Sequence, residues 1–443
     1  MAYVVAVATV RRDRTCRIVT ARWSRRKLIK TVLGGAAGVA VAALTSRDSR
    51  RLGPPGWLST RGSRLVDGES RNVRLLGINW TGAETAAMVP GGLQRRTIAE
   101  IAITLLRLGC NVVRIPFSVE MMLAGPGAIQ ARRVGREPVL AALSPRAALH
   151  VVVDGLARFG LMVILDNHRS DTGWGPQSNG LWYTPQYPAS VWRQMWLELA
   201  REYRHTPAVI GFDLRNEPGS PPVDADVTVD SGALWGYGQW SETGSALRDW
   251  AAEAEFTGNL IHRINPDVLI VVEGVRYDPA GPMVDDEVHL YWAGGNLSGV
   301  LRGAGPRSQP RQIRLRVPNK LVYSVHDYPP SQQREPWNDR PERVWDQTWG
   351  DIARQGLAPV FIGETGGPHD LPRGGDDHVY LTKLTQYVLR HDLHIAFWDL
   401  NGTYPPGSGI IEDAVEPYGL LRANWREPVD GPLLELLRSL TPE

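Results

Sequence analysis

The chain has 443 residues, 43% of them hydrophobic, too many for a minimal domain and about right for one large α/β barrel with a leader. Its net charge is +2, but residues 1–44 carry nine Lys or Arg against one acid (Asp13), leaving 40 basic and 46 acidic residues in a mildly acidic remainder. That balance argues against nucleic acid or an anionic polysaccharide as partner. The two cysteines, Cys16 and Cys110, form no Cys-x-x-Cys or Cys/His pattern, so neither a metal centre nor, once a leader is removed, an internal disulfide is expected.

Ser24-Arg25-Arg26-Lys27-Leu28-Ile29-Lys30 resembles a twin-arginine export signal. The apolar run 31–44 that follows is too short to span a bilayer comfortably, and Ala40-Val41-Ala42 offers a small-residue cleavage site. Residues 1–44 therefore read as an export signal and the mature protein as secreted, with an uncleaved membrane anchor outside the cell as the alternative. The length of chain before Ser24 suggests a start downstream of Met1. Residues 45–70, rich in Arg, Gly, Pro and Ser, read as a linker or first edge element, and 71–443 as one catalytic domain.

From residue 71 short apolar runs alternate with helical patterns. Strands are expected at Arg74–Asn79, Asn111–Pro116, Met162–Asp166, Val209–Leu214, Val268–Glu273, Leu321–His326, Val360–Gly363 and Ile395–Trp398. Their Val, Ile and Leu content suits strands buried on both faces. Helices are expected at Thr97–Leu108, Ser144–Phe159, Ala189–Tyr203, Ser245–Ile264, Pro341–Gln355, Val379–His391 and Pro432–Leu440. The alternation predicts an α/β fold, a single (β/α)8 TIM barrel. The long stretch 274–320 reads as a lid or groove wall.

In such a barrel chemistry gathers at the C-terminal strand ends. Polar residues fall there: Arg114 after Val112-Val113, His168 after Ile164-Leu165-Asp166-Asn167, and Asn216-Glu217 after Val209–Leu214. His326 and Tyr328 end the sixth run, Glu364 the seventh and Trp398 the eighth. Two carboxylates, Glu217 and Glu364, delivered to one end of a sheet are what cleavage of a glycosidic bond requires. The skew of 16 Trp against 6 Phe fits either sugar stacking or a Trp-rich core.

These residues, in this order, resemble glycoside hydrolase family 5, the cellulase family, from about Leu76 to Asn424. Gly77-Ile78-Asn79-Trp80, Asp166-Asn167-His168-Arg169, Gly294-Gly295-Asn296-Leu297 and Trp398-Asp399-Leu400-Asn401 look like its bacterial endo-cellulase branch. Leu400, where many members carry an aromatic, and the loop 412–420 depart from the pattern. The resemblance implies a retaining endo-β-1,4-glucanase without cofactor, with Glu364 as nucleophile and Glu217 as acid/base. Arg114 and Tyr328 are expected against Glu364, holding it ionised. Asn216 is expected at the sugar 2-hydroxyl, His168 and His326 in the same subsite, and Trp398, Trp80 and Trp292 as sugar contacts. The implied partner is a β-linked polysaccharide or oligosaccharide, cellulose or another β-glycan such as mannan, xyloglucan or a glycolipid. A monomer is the default. A non-catalytic glycan-binding barrel and a metal-dependent hydrolase are the competing classes.

Overall fold

The computed structural model describes residues 3–8, 18–23, 56–219, 232–236, 248–278, 283–284, 287–288, 291–303, 309–332, 340–406 and 411–441. Residues Met1–Arg51 and Leu52–Glu443 form two compact units. In the first, Tyr3–Ala8 pairs antiparallel with Ile18–Trp23. The expected export motif at 24–44 lies outside the described residues.

The second unit is a closed ring of eight parallel strands: β1 Leu76–Asn79, β2 Val112–Ser118, β3 Met162–Arg169, β4 Val209–Asp213, β5 Leu269–Glu273, β6 Leu321–His326, β7 Val360–Glu364 and β8 His394–Phe397. Each pairs with the next in sequence, and β8 returns to β1 through Ile395↔Leu76 and Phe397↔Ile78. The (β/α)8 barrel expected from the alternation is thus present, with all eight strands at the anticipated places.

The helices follow as the apolar spacing requires. Helix α1 (Ile98–Arg107) starts with Thr97 and Glu100 capping each other's backbone N–H groups. Helix α2 (Pro145–Ala157) is capped by Ser144, and α4 (Trp250–His262), after α3 (Ala189–Glu202), by Asp249. The pattern expected as one helix over Pro341–Gln355 is interrupted by a π-helical turn at Asp346–Gly350. Gly350 is the position where a side chain would strike the Tyr387 hydroxyl.

Alternation along the strands sorts side chains into two layers. One set, including Val112, Met162, Ile164, Leu269, Val271, Val322, Phe361 and Ala396, forms a cluster without helix members, the barrel interior. Leu58 and Leu65 join it from the hairpin Ser59–Arg61/Arg64–Val66, so this part of the expected linker belongs to the barrel unit. The other set faces the helices. Nine tryptophans (80, 182, 192, 196, 235, 250, 345, 349 and 425) are almost fully buried, so most of the Trp surplus is packing. Several of these spend the indole N–H internally: Trp192 on Asn167 Oδ1 (2.9 Å), Trp196 on Leu214 O (3.2 Å) and Trp250 on Glu273 O (2.9 Å).

Candidate active site

Above the apolar interior the same inward positions turn polar. On β3 the sequence of inward residues runs Met162, Ile164, Asp166, His168; on β5 it runs Leu269, Val271, Glu273. Period two therefore carries a polar layer to the C-terminal mouth of the barrel.

Arg114 is the hub of that layer and is fully buried. Its Nε donates to Asp213 Oδ2 (2.9 Å) and its Nη1 to Asn79 Oδ1 (2.9 Å) and Glu364 Oε1 (2.7 Å). Its Nη2 donates to Asn216 Oδ1 (3.1 Å) and Glu273 Oε1 (2.9 Å) and lies 3.2 Å from Asp166 Oδ1. The oxygens of Asp166, Asp213 and Glu273 are spaced as ligands of a metal ion would be, within 4.8 Å. The guanidinium is ion-paired to all three and supplies the positive charge there. Burial pushes the carboxyl of Asp213 well up and that of Asp166 to about 7, despite Arg114.

Glu217 and Glu364 face each other across the mouth, with carboxylate oxygens within 4.8 Å and His326 between them. His326 Nδ1 is 2.9 Å from Glu217 Oε1 and 3.5 Å from Glu364 Oε2, while Nε2 is 3.3 Å from Glu273 Oε1. Burial opposes charge on this ring, but Glu273, Glu364 and Glu217 outweigh it and hold the imidazolium well above the usual histidine range. Trp292, from the stretch read as a groove wall, donates its indole N–H to Glu217 Oε1 (2.8 Å). Tyr328 donates to Glu364 Oε2 (3.1 Å), as Arg114 does to Oε1.

The two partners expected against Glu364 are therefore in contact with it, but the direction of its proton affinity differs from expectation. Burial raises its pKa, and His326 and Arg114 only offset part of that. Glycine brackets this strand end for a steric reason: a side chain at Gly366 would lie 2.3 Å from Trp398 O. The close approach lets Trp398 N donate to Thr365 O (2.7 Å).

His168 donates or accepts through Nδ1 at Asp166 Oδ2 (2.7 Å), stacks on Trp398 (5.5 Å, 18°), and is pushed down to about 3 by burial. Trp398 is half-buried, with Trp174 edge-on to it at 5.7 Å and to Tyr404 at 5.5 Å. Trp292 packs on Tyr328 at 4.5 Å. Trp174, Trp292, Trp398 and Tyr404 are half-exposed, whereas Tyr328 is buried.

Trp80 departs from expectation. It is fully buried and donates to Gly91 O (2.9 Å), so neither ring face is open to a sugar. Leu400 is likewise core. The 412–420 loop is tied back, with Glu412 paired to Arg132 (2.8 Å) and Arg133.

Four participants were not anticipated: Glu273, Asp213, Asn79 and Trp174. Glu273 and Asn79 each end a strand, and that position alone could have flagged them. Asp213 also ends its strand, β4, but the apolar run was expected to continue through Leu214, which hid it. Trp174 lies in a loop with no motif.

A closed parallel barrel that carries two facing glutamates at its C-terminal mouth, among aromatic walls, defines the class: the protein is a glycoside hydrolase. The family model for Cellulase (glycosyl hydrolase family 5) matches residues 66–403, and the chain belongs to that family. An endoglucanase of Paenibacillus polymyxa is 34% identical over 366 residues, covering 81% of this chain and 83% of the relative. The major extracellular endoglucanase of Xanthomonas campestris pv. campestris is 28% identical over 413 residues, covering 90% and 74%. Among solved structures, the hyperthermophilic endocellulase of the archaeon Pyrococcus horikoshii superposes with a TM-score of 0.71 at 26% identity, over 88% of this chain and all of that one. That endocellulase has also been analysed in complex with cellotetraose.

Proposed function

We propose that the protein is an exported endo-β-1,4-glucanase that cleaves internal glucosidic bonds by double displacement with retention. The observation that carries this reading is the approach of Glu217 and Glu364 oxygens to within 4.8 Å at the barrel mouth. Retention needs the two carboxyls roughly 5–5.5 Å apart, whereas inversion leaves room for a water between them. Similarity to endoglucanases over most of the chain, and to an endocellulase studied with cellotetraose, favours a β-glucan chain as substrate. Likeness to an extracellular relative and the Ser24–Lys30 motif favour export. Among the described residues no helix is long and apolar enough to cross a membrane.

In the first step Glu364 attacks the anomeric carbon while Glu217 gives its proton to the departing sugar oxygen, leaving a glycosyl ester on Glu364. In the second, Glu217 takes a proton from water, whose oxygen displaces Glu364. Arg114 and His326 supply the positive charge that compensates Glu364 as an anion. Because Arg114 holds Asn216 Oδ1, the Asn216 amide N–H is left to donate to the sugar 2-hydroxyl, a bond that tightens in the transition state. Trp398 and Trp174 offer ring faces for sugar C–H groups.

Product analysis on defined β-1,4-gluco-oligosaccharides tests this. The β-anomer should be released first, and Glu364→Gln should lose hydrolysis by at least about 10³-fold while still binding the glycan. Undiminished turnover in that variant, or first release of the α-anomer, would overturn the assignment. A panel of carboxymethylcellulose, lichenan, mannan and xyloglucan separates a glucanase from the same machinery on another β-glycan.

A further inference from the structure

We infer that Glu273 is a positioning residue for proton transfer: its carboxylate accepts from the Glu217 backbone N–H and pairs by charge with the far nitrogen of His326, and so aims the Glu217 carboxyl at the leaving oxygen. This rests on the reading of Glu217 as acid/base.

Glu217 adopts φ +49°, in the left-handed region, which a residue with a Cβ occupies only when its surroundings hold it there. The holding contact is its own N–H, which donates to Glu273 Oε2 at 2.7 Å. The other oxygen, Oε1, accepts from Arg114 Nη2 (2.9 Å) and faces His326 Nε2 (3.3 Å). His326 in turn presents Nδ1 to Glu217 Oε1 at 2.9 Å. One side chain, completely buried at the end of β5, thus reaches Glu217 by two routes, through its backbone and through the imidazole against its carboxyl.

The neighbouring chain leaves space for this. Gly294 has φ +74°, and a methyl group there would lie 2.5 Å from Glu273 Oε2 and 3.6 Å from Glu217 Cα. Any side chain at 294 would push the carboxylate off the Glu217 N–H.

Glutamine at 273 keeps the shape but turns one oxygen into an N–H donor. Either Glu217 N–H or the Arg114–His326 side then meets a donor in place of an acceptor. A misplaced acid matters most when the leaving group needs its proton, and little when the leaving group departs as a stable anion.

The test uses the full chain and a series of aryl β-cellobiosides whose phenols range from weakly to strongly acidic. For Glu273→Gln, kcat/KM should fall about tenfold to a hundredfold on the least acidic phenol, part of the proton-transfer contribution. The loss should shrink toward the most acidic phenol, with little change in cellotetraose affinity. Gly294→Ala, which keeps both carboxylates, should show the same leaving-group dependence and stands in if Glu273→Gln does not fold. A loss uniform across the series in both variants would overturn the inference. Glu217→Gln is the separate check on the underlying reading. A flat response there would refute Glu217 as the acid, whereas a steep response there beside a uniform loss at 273 would refute only the role given to Glu273.

Discussion

Replacing Arg114 with Met removes the one cation shared by Asp166, Asp213, Glu273 and Glu364, each of them buried at the barrel mouth. Removing one partner from a buried ion pair costs about 3–5 kcal/mol, because the remaining charge has neither water nor counterion. Here four acids lose a common partner, but they can take up protons, which keeps the cost in that range. With about 2.1 cal/mol/K of unfolding entropy per residue, the Leu52–Glu443 unit carries on the order of 0.8 kcal/mol/K, so Tm should fall by about 4–6 °C. The deficit should depend on pH. Without the guanidinium Asp166, Asp213 and Glu364, already raised by burial, rise further above their unfolded values of about 4, whereas at Glu273 burial is outweighed by His326 and Arg114, so it starts low. Raised acids contribute stability that is complete below the unfolded pKa and lost as pH rises through the folded one. The gap between variant and wild type should therefore be small near pH 4–5 and widest near pH 8. Calorimetric or circular-dichroism melting at both ends measures it. A fall of less than about 1 °C, or one of equal size at both pH values, would refute Arg114 as the electrostatic keystone.

Glu84 is completely buried, has one oxygen (Oε1) with no hydrogen-bond partner, and is pushed up to about 8 by burial. Its neutral form is the one the fold accommodates, so wild-type Tm should decline as pH rises from 5 to 8.5, and Glu84→Gln should flatten that decline; identical slopes would count against it. Trp398→Ala should raise KM for gluco-oligosaccharides several-fold with little change in Tm, since its ring is half-exposed beside His168 and Trp174. Trp80→Phe should do the reverse, leaving Gly91 O without its donor at about 1–3 kcal/mol and KM unchanged; a KM effect there would restore Trp80 as a sugar contact.

The barrel was readable because each of its strands is buried on both faces and so appears as a short Val, Ile and Leu run. The polar residue that ends each run was readable for the same reason, since charge at an apolar terminus has to face either the mouth or the floor. That is why Arg114, Glu217, His326 and Glu364, separated by up to 250 positions, could be placed together. Asp213 escaped notice because one polar residue within Phe212-Asp213-Leu214 looks like an interruption, and only Arg114 beside it explains its burial. Glu273 precedes an irregular stretch and carries no motif, so its value lies wholly in what folding brings against it. Trp80 was misjudged for the opposite reason. A local string with Trp after a strand names the residue but not the direction of its ring, and the loop carrying Gly91 decides that. The sign of the Glu364 shift could not be read either, since it depends on how much water the finished mouth excludes.

Asn79 sits where the first strand meets the last. Its amide donates to Gly363 O (2.9 Å) and Phe397 O (3.2 Å), and its carbonyl oxygen steadies Arg114 (2.9 Å). The keystone cation is thus fastened by an amide whose own anchors lie more than 280 residues downstream. A chain still emerging from the ribosome, with residues 394–397 not yet made, lacks the Phe397 anchor and the strand that closes the ring. Hydrolytic power should therefore switch on only when synthesis is nearly finished and the ring has shut, so truncated products of this gene would be inert without any further safeguard.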